Sequence, residues 1–166
     1  FPDGIVFSLD NNGTSTGNIT FEVTDINGKK DTVTLTGITS SAKRWKILAS
    51  LFDEVDITKI VSFAFVFKGQ TTGADLDVTW GDFAFTPAVN PDNSNPATTL
   101  LPLTSQGVRP ELTGFASADG STSTATLFSS TFARVHFTGA SSTSFGGAFI
   151  NYDNFSTGGT ETINLS

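Results

Sequence analysis

The first part of the chain alternates apolar and polar residues with a period of two. Such runs occupy residues 5–9, 19–23 and 33–35. Because successive side chains of a strand point to opposite faces, each run predicts a strand with one buried face. Between the second and third runs, Asn27-Gly28 accepts the positive φ angles of a type I′ turn, so these two strands are predicted to form a hairpin.

The middle of the chain continues the strand pattern and then loses it. Residues 43–48 predict a further strand, and residues 60–67 are apolar in both phases, which is typical of a central strand. In residues 76–85 the apolar phase shifts at Gly81-Asp82, which predicts a β-bulge. Periodicity is absent from residues 87–123, which predicts a linker or a long surface loop.

Four more runs restore the pattern and complete the predicted architecture. They are residues 124–128, 132–138, 145–153 and 160–165. Short strands at this density are typical of two packed sheets. The sequence therefore predicts an all-β domain, a jelly-roll β-sandwich of two antiparallel sheets, that occupies residues 1–166 as one unit.

Composition and charge narrow the functional classes. The chain has 166 residues, no cysteine and a net charge of −7. An acidic chain lacks the clustered cations that nucleic acid or an anionic membrane surface requires, and no apolar stretch is long enough to span a membrane. The chain begins at Phe1, which suggests a processed chain or an excised piece. Its four Asn-x-Ser/Thr sequons favour a secreted or cell-surface location and begin at Asn12, Asn18, Asn154 and Asn164.

Two blocks of sequence resemble galactose-binding-like jelly rolls, which include the carbohydrate-binding modules of bacterial polysaccharide hydrolases. Residues 1–86 resemble the closing half of such a domain through Trp45-Lys-Ile-Leu, Phe63-Ala-Phe-Val-Phe and Leu76-Asp-Val-Thr-Trp. Residues 124–166 resemble the opening half, through Phe145-Gly-Gly-Ala-Phe-Ile-Asn-Tyr-Asp and the closing Ile-Asn-Leu-Ser. The halves stand in reverse order, as in a circular permutant or one period of a tandem array.

The reversed order suggests a mode of assembly. We expect residues 124–166 of one chain to complete the sandwich of the next copy, so that copies associate head to tail into a filament or array. The alternative is that both halves fold back within one chain, because domain termini commonly lie close together.

No catalytic motif is present. His136 is the single histidine and lies opposite the apolar face of residues 132–138, so we interpret it as a solvent-facing or packed side chain. The sequence lacks a nucleophile elbow, a His-Glu-x-x-His motif and a phosphate-binding glycine loop. A non-enzymatic protein is predicted. Carboxylate chemistry would require two facing acids, for which the candidates are Asp53, Asp56, Asp77 and Asp82.

The sequence offers candidates for two kinds of binding site. The resemblance implies that Asp82 contributes to a structural calcium site, although no calcium loop accompanies it. Sugar rings stack on exposed aromatic side chains while neighbouring polar groups bind their hydroxyls. The candidate sugar contacts are Tyr152, Trp80, Trp45, Asn151 and Asp153, of which the two tryptophans share the phase of buried aliphatic residues.

The 16 phenylalanines are predicted to pack between the two sheets. The function that fits these features is a non-catalytic structural subunit of an extracellular or cell-surface assembly, with copies of itself as partners. The alternative is a carbohydrate-binding module that anchors an enzyme or a cell to polysaccharide.

Overall fold

The computed structural model describes residues 4–79, 111–129 and 132–151, together with Thr162 and Leu165. Within these residues the chain forms ten strands and one 3₁₀ turn at Ala49–Leu51. The strands are β1 (Ile5–Asp10), β2 (Ile19–Asp25), β3 (Lys30–Leu35), β4 (Lys43–Ile47), β5 (Ile60–Lys68), β6 (Ala74–Thr79), β7 (Glu111–Ala116), β8 (Thr122–Ser129), β9 (Phe132–Thr138) and β10 (Phe145–Asn151).

The strands form two five-stranded sheets that pack against each other as a β-sandwich. Sheet A has the order β4-β1-β6-β9-β8, and sheet B has the order β3-β2-β5-β10-β7. All eight pairs of neighbouring strands are antiparallel. The predicted all-β class, with two antiparallel sheets in a sandwich, is confirmed.

The order of the strands shows where β9 and β10 are inserted into the two sheets. Taken in the order β9, β10 and then β1 to β6, the chain changes sheets between successive strands except at the β2–β3 hairpin. These eight strands form two four-stranded layers, and β7 and β8 each add one edge strand. In this structure β9 pairs with β6 and β10 pairs with β5 of the same chain.

Phenylalanine rings fill the space between the sheets. Phe21 of sheet B contacts Phe7 of sheet A with ring centroids 5.2 Å apart, and it also contacts Phe63 and Phe65 of its own sheet. Phe67 of β5 stacks on Phe137 of β9 at 5.6 Å. The rings therefore join the two sheets, and one of these contacts joins the early strands to the C-terminal strands.

The hairpin between β2 and β3 is present, but its turn type differs from the prediction. Only Gly28 adopts a positive φ, of 76°, whereas Asn27 does not. The Gly28 N–H donates to the Asp25 carbonyl, and the Asp25 N–H donates to the Lys29 carbonyl. This geometry is a three-residue loop with a glycine bulge, and the buried Asp25 carboxylate supports it by accepting from the Asn27 and Lys29 N–H groups.

The interpretation of residues 87–123 as a linker is wrong for its last part. β7 occupies Glu111–Ala116, and β8 begins at Thr122. The apolar residues Leu112 and Phe115 lie on opposite faces of β7, so the segment has no alternating pattern. β7 and β8 pack closely at Gly114, where a Cβ atom would lie 2.9 Å from the Ser123 carbonyl oxygen. The predicted bulge at Gly81-Asp82 lies outside the described residues.

The described end of the chain is also anchored. Leu165 is fully buried, and its N–H donates to the Ile57 carbonyl at 2.9 Å. Among the described residues there is no helix long and apolar enough to cross a membrane.

Candidate functional site

The outer face of sheet A carries polar side chains on two of its three inner strands, β6 and β9. Buried residues of these strands, such as Leu76 and Val135, alternate with polar residues that point away from sheet B. Neighbouring side chains of β8 complete this surface. We call it the polar face and define it by Asp75, Asp77, Thr79, Thr124, Thr126, Phe128, Phe132, Arg134 and His136.

An ion pair lies at the centre of the polar face. Asp77 stands directly opposite Arg134 in the β6–β9 register. The Arg134 Nε and Nη2 atoms donate to the two carboxylate oxygens of Asp77 at 2.6 and 2.7 Å. The Asp77 side chain is only 8% exposed, and its hydrogen bonds raise the pKa of Arg134 above its ordinary value. This bidentate geometry fixes the planes of both groups.

A second acid–base pair lies one step along the same strands. His136 Nδ1 is 2.6 Å from Asp75 Oδ1, and Asn12 Nδ2 donates to Asp75 Oδ2 at 3.0 Å. Burial raises the pKa of Asp75, but the hydrogen bonds from Asn12 and His136 outweigh it and leave the pKa below its usual value. Asp75 is therefore ionised at neutral pH and accepts from both neighbours.

An aromatic pair borders these charges. Phe128 of β8 stacks on Phe132 of β9 with ring centroids 5.3 Å apart, and Phe128 is 57% exposed. The Arg134 guanidinium carbon lies 5.8 Å from the Phe128 ring centroid, within the range of a cation–π contact. An exposed apolar surface thus adjoins fixed donors and acceptors.

The prediction that the phenylalanines pack between the sheets holds for only part of the described set. Phe132 shares the parity of His136, so it belongs to the outer face, and this could have been read from the sequence. Phe115, Phe145 and Phe149 lie on the outer face of sheet B by the same alternation. The placement of Phe128 depends on the β8–β9 register and its irregularity between Leu127 and Ser129, which the sequence pattern does not specify.

The structure does not support Trp45 as a sugar contact. Trp45 is half-buried and packs against the core beside Phe7, its partner in the β1–β4 register. Its Nε1 atom is buried without a hydrogen-bond partner. The ring is therefore part of the core, because β4 directs it towards sheet B.

The other predicted sugar contacts are only partly described. Asn151 ends β10 on the outer face of sheet B, opposite Ser62 and Glu111 in its two registers. It therefore belongs to the other sheet from the polar face. Tyr152, Trp80 and Asp153 lie outside the described residues.

The sequons that can be located are exposed. Asn18 precedes β2, and Asn12 lies in the β1–β2 loop with a φ of 47°. Asn12 already uses its side-chain nitrogen to hold Asp75. Asn154 and Asn164 lie outside the described residues.

The candidate acids for catalysis occupy separate positions. Asp53 and Asp56 lie in the β4–β5 connection, where Asp56 accepts from both the N–H and the hydroxyl of Thr58. Asp77 lies in β6 and is held by Arg134. Asp82, which is also the proposed calcium ligand, lies outside the described residues, and the described part of the chain contains no cluster of three or more metal-binding side chains.

Comparison of the chain with protein-family models, with curated proteins and with solved structures found no match. The fold and the site define the structural class of the protein as an all-β sandwich with a polar and aromatic surface on one sheet. The resemblance to galactose-binding-like domains stays a prediction.

Proposed function

We propose that this chain is a non-catalytic extracellular module that binds polysaccharide through the polar face. The observation that supports the proposal is the stacked Phe128–Phe132 pair, of which Phe128 is exposed, beside the Arg134–Asp77 ion pair. Sugar rings present C–H surfaces that pack on aromatic rings, and their hydroxyls both donate and accept hydrogen bonds. The polar face offers both kinds of contact on one sheet.

The fixed geometry of the charges favours recognition of a neutral sugar chain. The Arg134 guanidinium is paired with the Asp77 carboxylate, so it presents no uncompensated positive charge to an anionic ligand. The carboxylate of Asp75 can accept further hydrogen bonds from sugar hydroxyls. Because these groups are held before a ligand arrives, binding requires little additional ordering of side chains.

Affinity gel electrophoresis with a panel of neutral and acidic polysaccharides tests this function. Phe128→Ala should weaken retardation about tenfold, since it removes the exposed ring from the site. Phe145→Ala is the matched control, because Phe145 is 49% exposed but lies on sheet B; it should bind as the wild type does.

Three outcomes would contradict the proposal. Retardation by no polysaccharide would exclude the function, and equal losses in the two variants would exclude the polar face as its site. Loss of retardation on Tyr152→Ala but not on Phe128→Ala would place the site beyond the end of β10.

A second candidate is a structural subunit whose copies exchange strands. β9 and β10 are inner strands of the two sheets, and they pair with strands that precede residues 80–110 in the chain. The same pairings could form between copies, with the segment from β7 to β10 of one chain completing the sheets of the next. Such heterologous contacts extend into a filament.

Electron microscopy and mass photometry of the native material test the second candidate. Long filaments with a regular subunit repeat are expected if strands are exchanged head to tail. A monomer of 17.4 kDa at every concentration would exclude it and would leave the polysaccharide-binding function untouched.

A further inference from the structure

Each sheet of the sandwich has two edge strands, and three of the four edge strands contain charged residues. A charge on an edge strand opposes the addition of another strand, because pairing would bring the charge out of water or against a like charge. The charged residues are Lys30 and Asp31 in β3, Lys43, Arg44 and Lys46 in β4, and Glu111 in β7.

β8 is the exception. Its sequence, Thr-Ser-Thr-Ala-Thr-Leu-Phe-Ser, contains neither a charged residue nor a proline. It has eight residues, whereas the other three edge strands have five or six. Within the part of the chain that the structure describes, β9 is the one strand that pairs with β8, and no described strand pairs with the opposite edge.

The side chains of β8 also suit pairing with a strand of the same sequence. Thr122, Thr124 and Thr126 are exposed on one face, and Leu127 is 55% exposed near the end of the strand. In an antiparallel pair centred on Ala125, Thr124 of each copy would stand opposite Thr126 of the other. Cross-strand threonine pairs are favourable, and the neutral strand adds no charge where two chains of net charge −7 meet.

We propose that the outer edge of β8 is a self-association surface to which a second copy of this chain adds its own β8 in antiparallel orientation. With Ala125 at the centre, the irregular register between Leu127 and Ser129 limits the pairing to residues 123–127. The contact is isologous, so it closes as a dimer and does not extend. The two A sheets then form one ten-stranded sheet with both polar faces on the same side.

Sedimentation velocity over a wide concentration range tests the proposal on the full chain. The wild type should pass from 17.4 kDa to twice that mass as the concentration rises. Thr124→Lys combined with Thr126→Lys should raise the dimer dissociation constant about tenfold or more, because pairing would bring lysines directly opposite one another. The matched control is Thr32→Lys with Thr34→Lys, two exposed threonines on edge strand β3, which should leave the dimer intact.

Hydrogen exchange gives a second measurement that requires no variant. Amides within residues 123–127 should gain protection when the wild type is concentrated, whereas amides of β3 should not. A wild type that stays monomeric, or a dimer that tolerates both β8 lysines in a folded variant, would overturn the proposal. Open-ended assemblies insensitive to the β8 lysines would also overturn it and would favour exchange of β9 and β10.

Discussion

β9 and β10 are successive strands of the same length, seven residues, and each is the fourth strand of its sheet. Their side chains nevertheless serve different purposes. β9 places Val135 and Phe137 in the core and Arg134 and His136 outside. β10 places Gly146, Ala148 and Ile150 inside, and its outer face has no charged residue.

The difference shows how the two sheets divide their roles. The narrow inner surface of β10 makes room for the rings of sheet A, since a Cβ atom at Gly146 would lie 2.5 Å from the Phe137 ring. Sheet B therefore determines the fit between the layers. On its outer face sheet A carries the Asp77–Arg134 pair, in which a nearly buried carboxylate is held by a cation, and burial of apolar surface alone does not require this arrangement. This contrast is the reason to place the function on sheet A.

The largest expected effect comes from the inner surface of β10. Gly146→Ala should destabilise the fold by about 3 kcal/mol, because the new methyl group meets both the Phe137 ring and the Phe115 carbonyl. Gly13→Ala is the control, with nothing within 4 Å of the new atom but a φ of 78°, and it should cost about 1 kcal/mol. Urea unfolding measures both; equal costs would show that the sheets are not tightly fitted at β10.

The outer surface of β9 gives the next effect. Arg134→Met should destabilise by about 2 kcal/mol, because it leaves the nearly buried Asp77 carboxylate without its partner. Lys30→Met breaks an ion pair with Glu22 in which the lysine is 59% exposed and should cost about 0.5 kcal/mol or less. Chemical denaturation at neutral pH separates the two; similar losses would mean that the Asp77–Arg134 pair is held no more firmly than a surface pair.

The smallest effect concerns pH. The pKa of Asp75 lies below its usual value in the folded protein, so its contribution to stability is present above about pH 4, the ordinary range of an aspartate, and is lost as the pH falls through the folded pKa. Asp75→Asn should remove this part of the acid dependence. Asn12→Ala, which deletes one hydrogen bond to Asp75, should remove a smaller part.

Unfolding free energies measured from pH 7 down to the acid transition test both variants. A stability curve for Asp75→Asn that runs parallel to the wild-type curve would contradict the prediction. β10 contains no titratable residue, so it offers no comparable pH response.

The sequence predicted those parts of the fold that depend on local alternation. The runs at residues 5–9 and 19–23 became strands, and the outward orientation of His136 followed from its position between Val135 and Phe137. β7 was missed because Gly114 contributes no side chain and its apolar residues point to opposite faces. An alternating apolar pattern appears only where one face of a strand buries apolar side chains. A strand such as β7, which packs through the backbone at Gly114, therefore shows no such pattern.

The candidate site was less accessible to sequence analysis. Asp77 and Arg134 are 57 residues apart in sequence, and their pairing depends on the register between β6 and β9. Alternation shows that each residue faces outward but not which residues stand opposite each other. The same limit explains why the sequence offers Asp77 as a candidate catalytic acid and does not reveal it as the partner of an arginine.

The late position of β9 and β10 in the chain has a consequence for biosynthesis. Until these strands leave the ribosome, β5 and β6 each have a partner strand on one side only. Phe65 and Phe67 cannot be fully buried before the core is complete. The sandwich cannot close until pairings between distant parts of the sequence form, which slows folding. The nascent chain therefore exposes two apolar sheet edges while the segment between β6 and β9 is synthesised, and exposed edges of this kind are prone to aggregation.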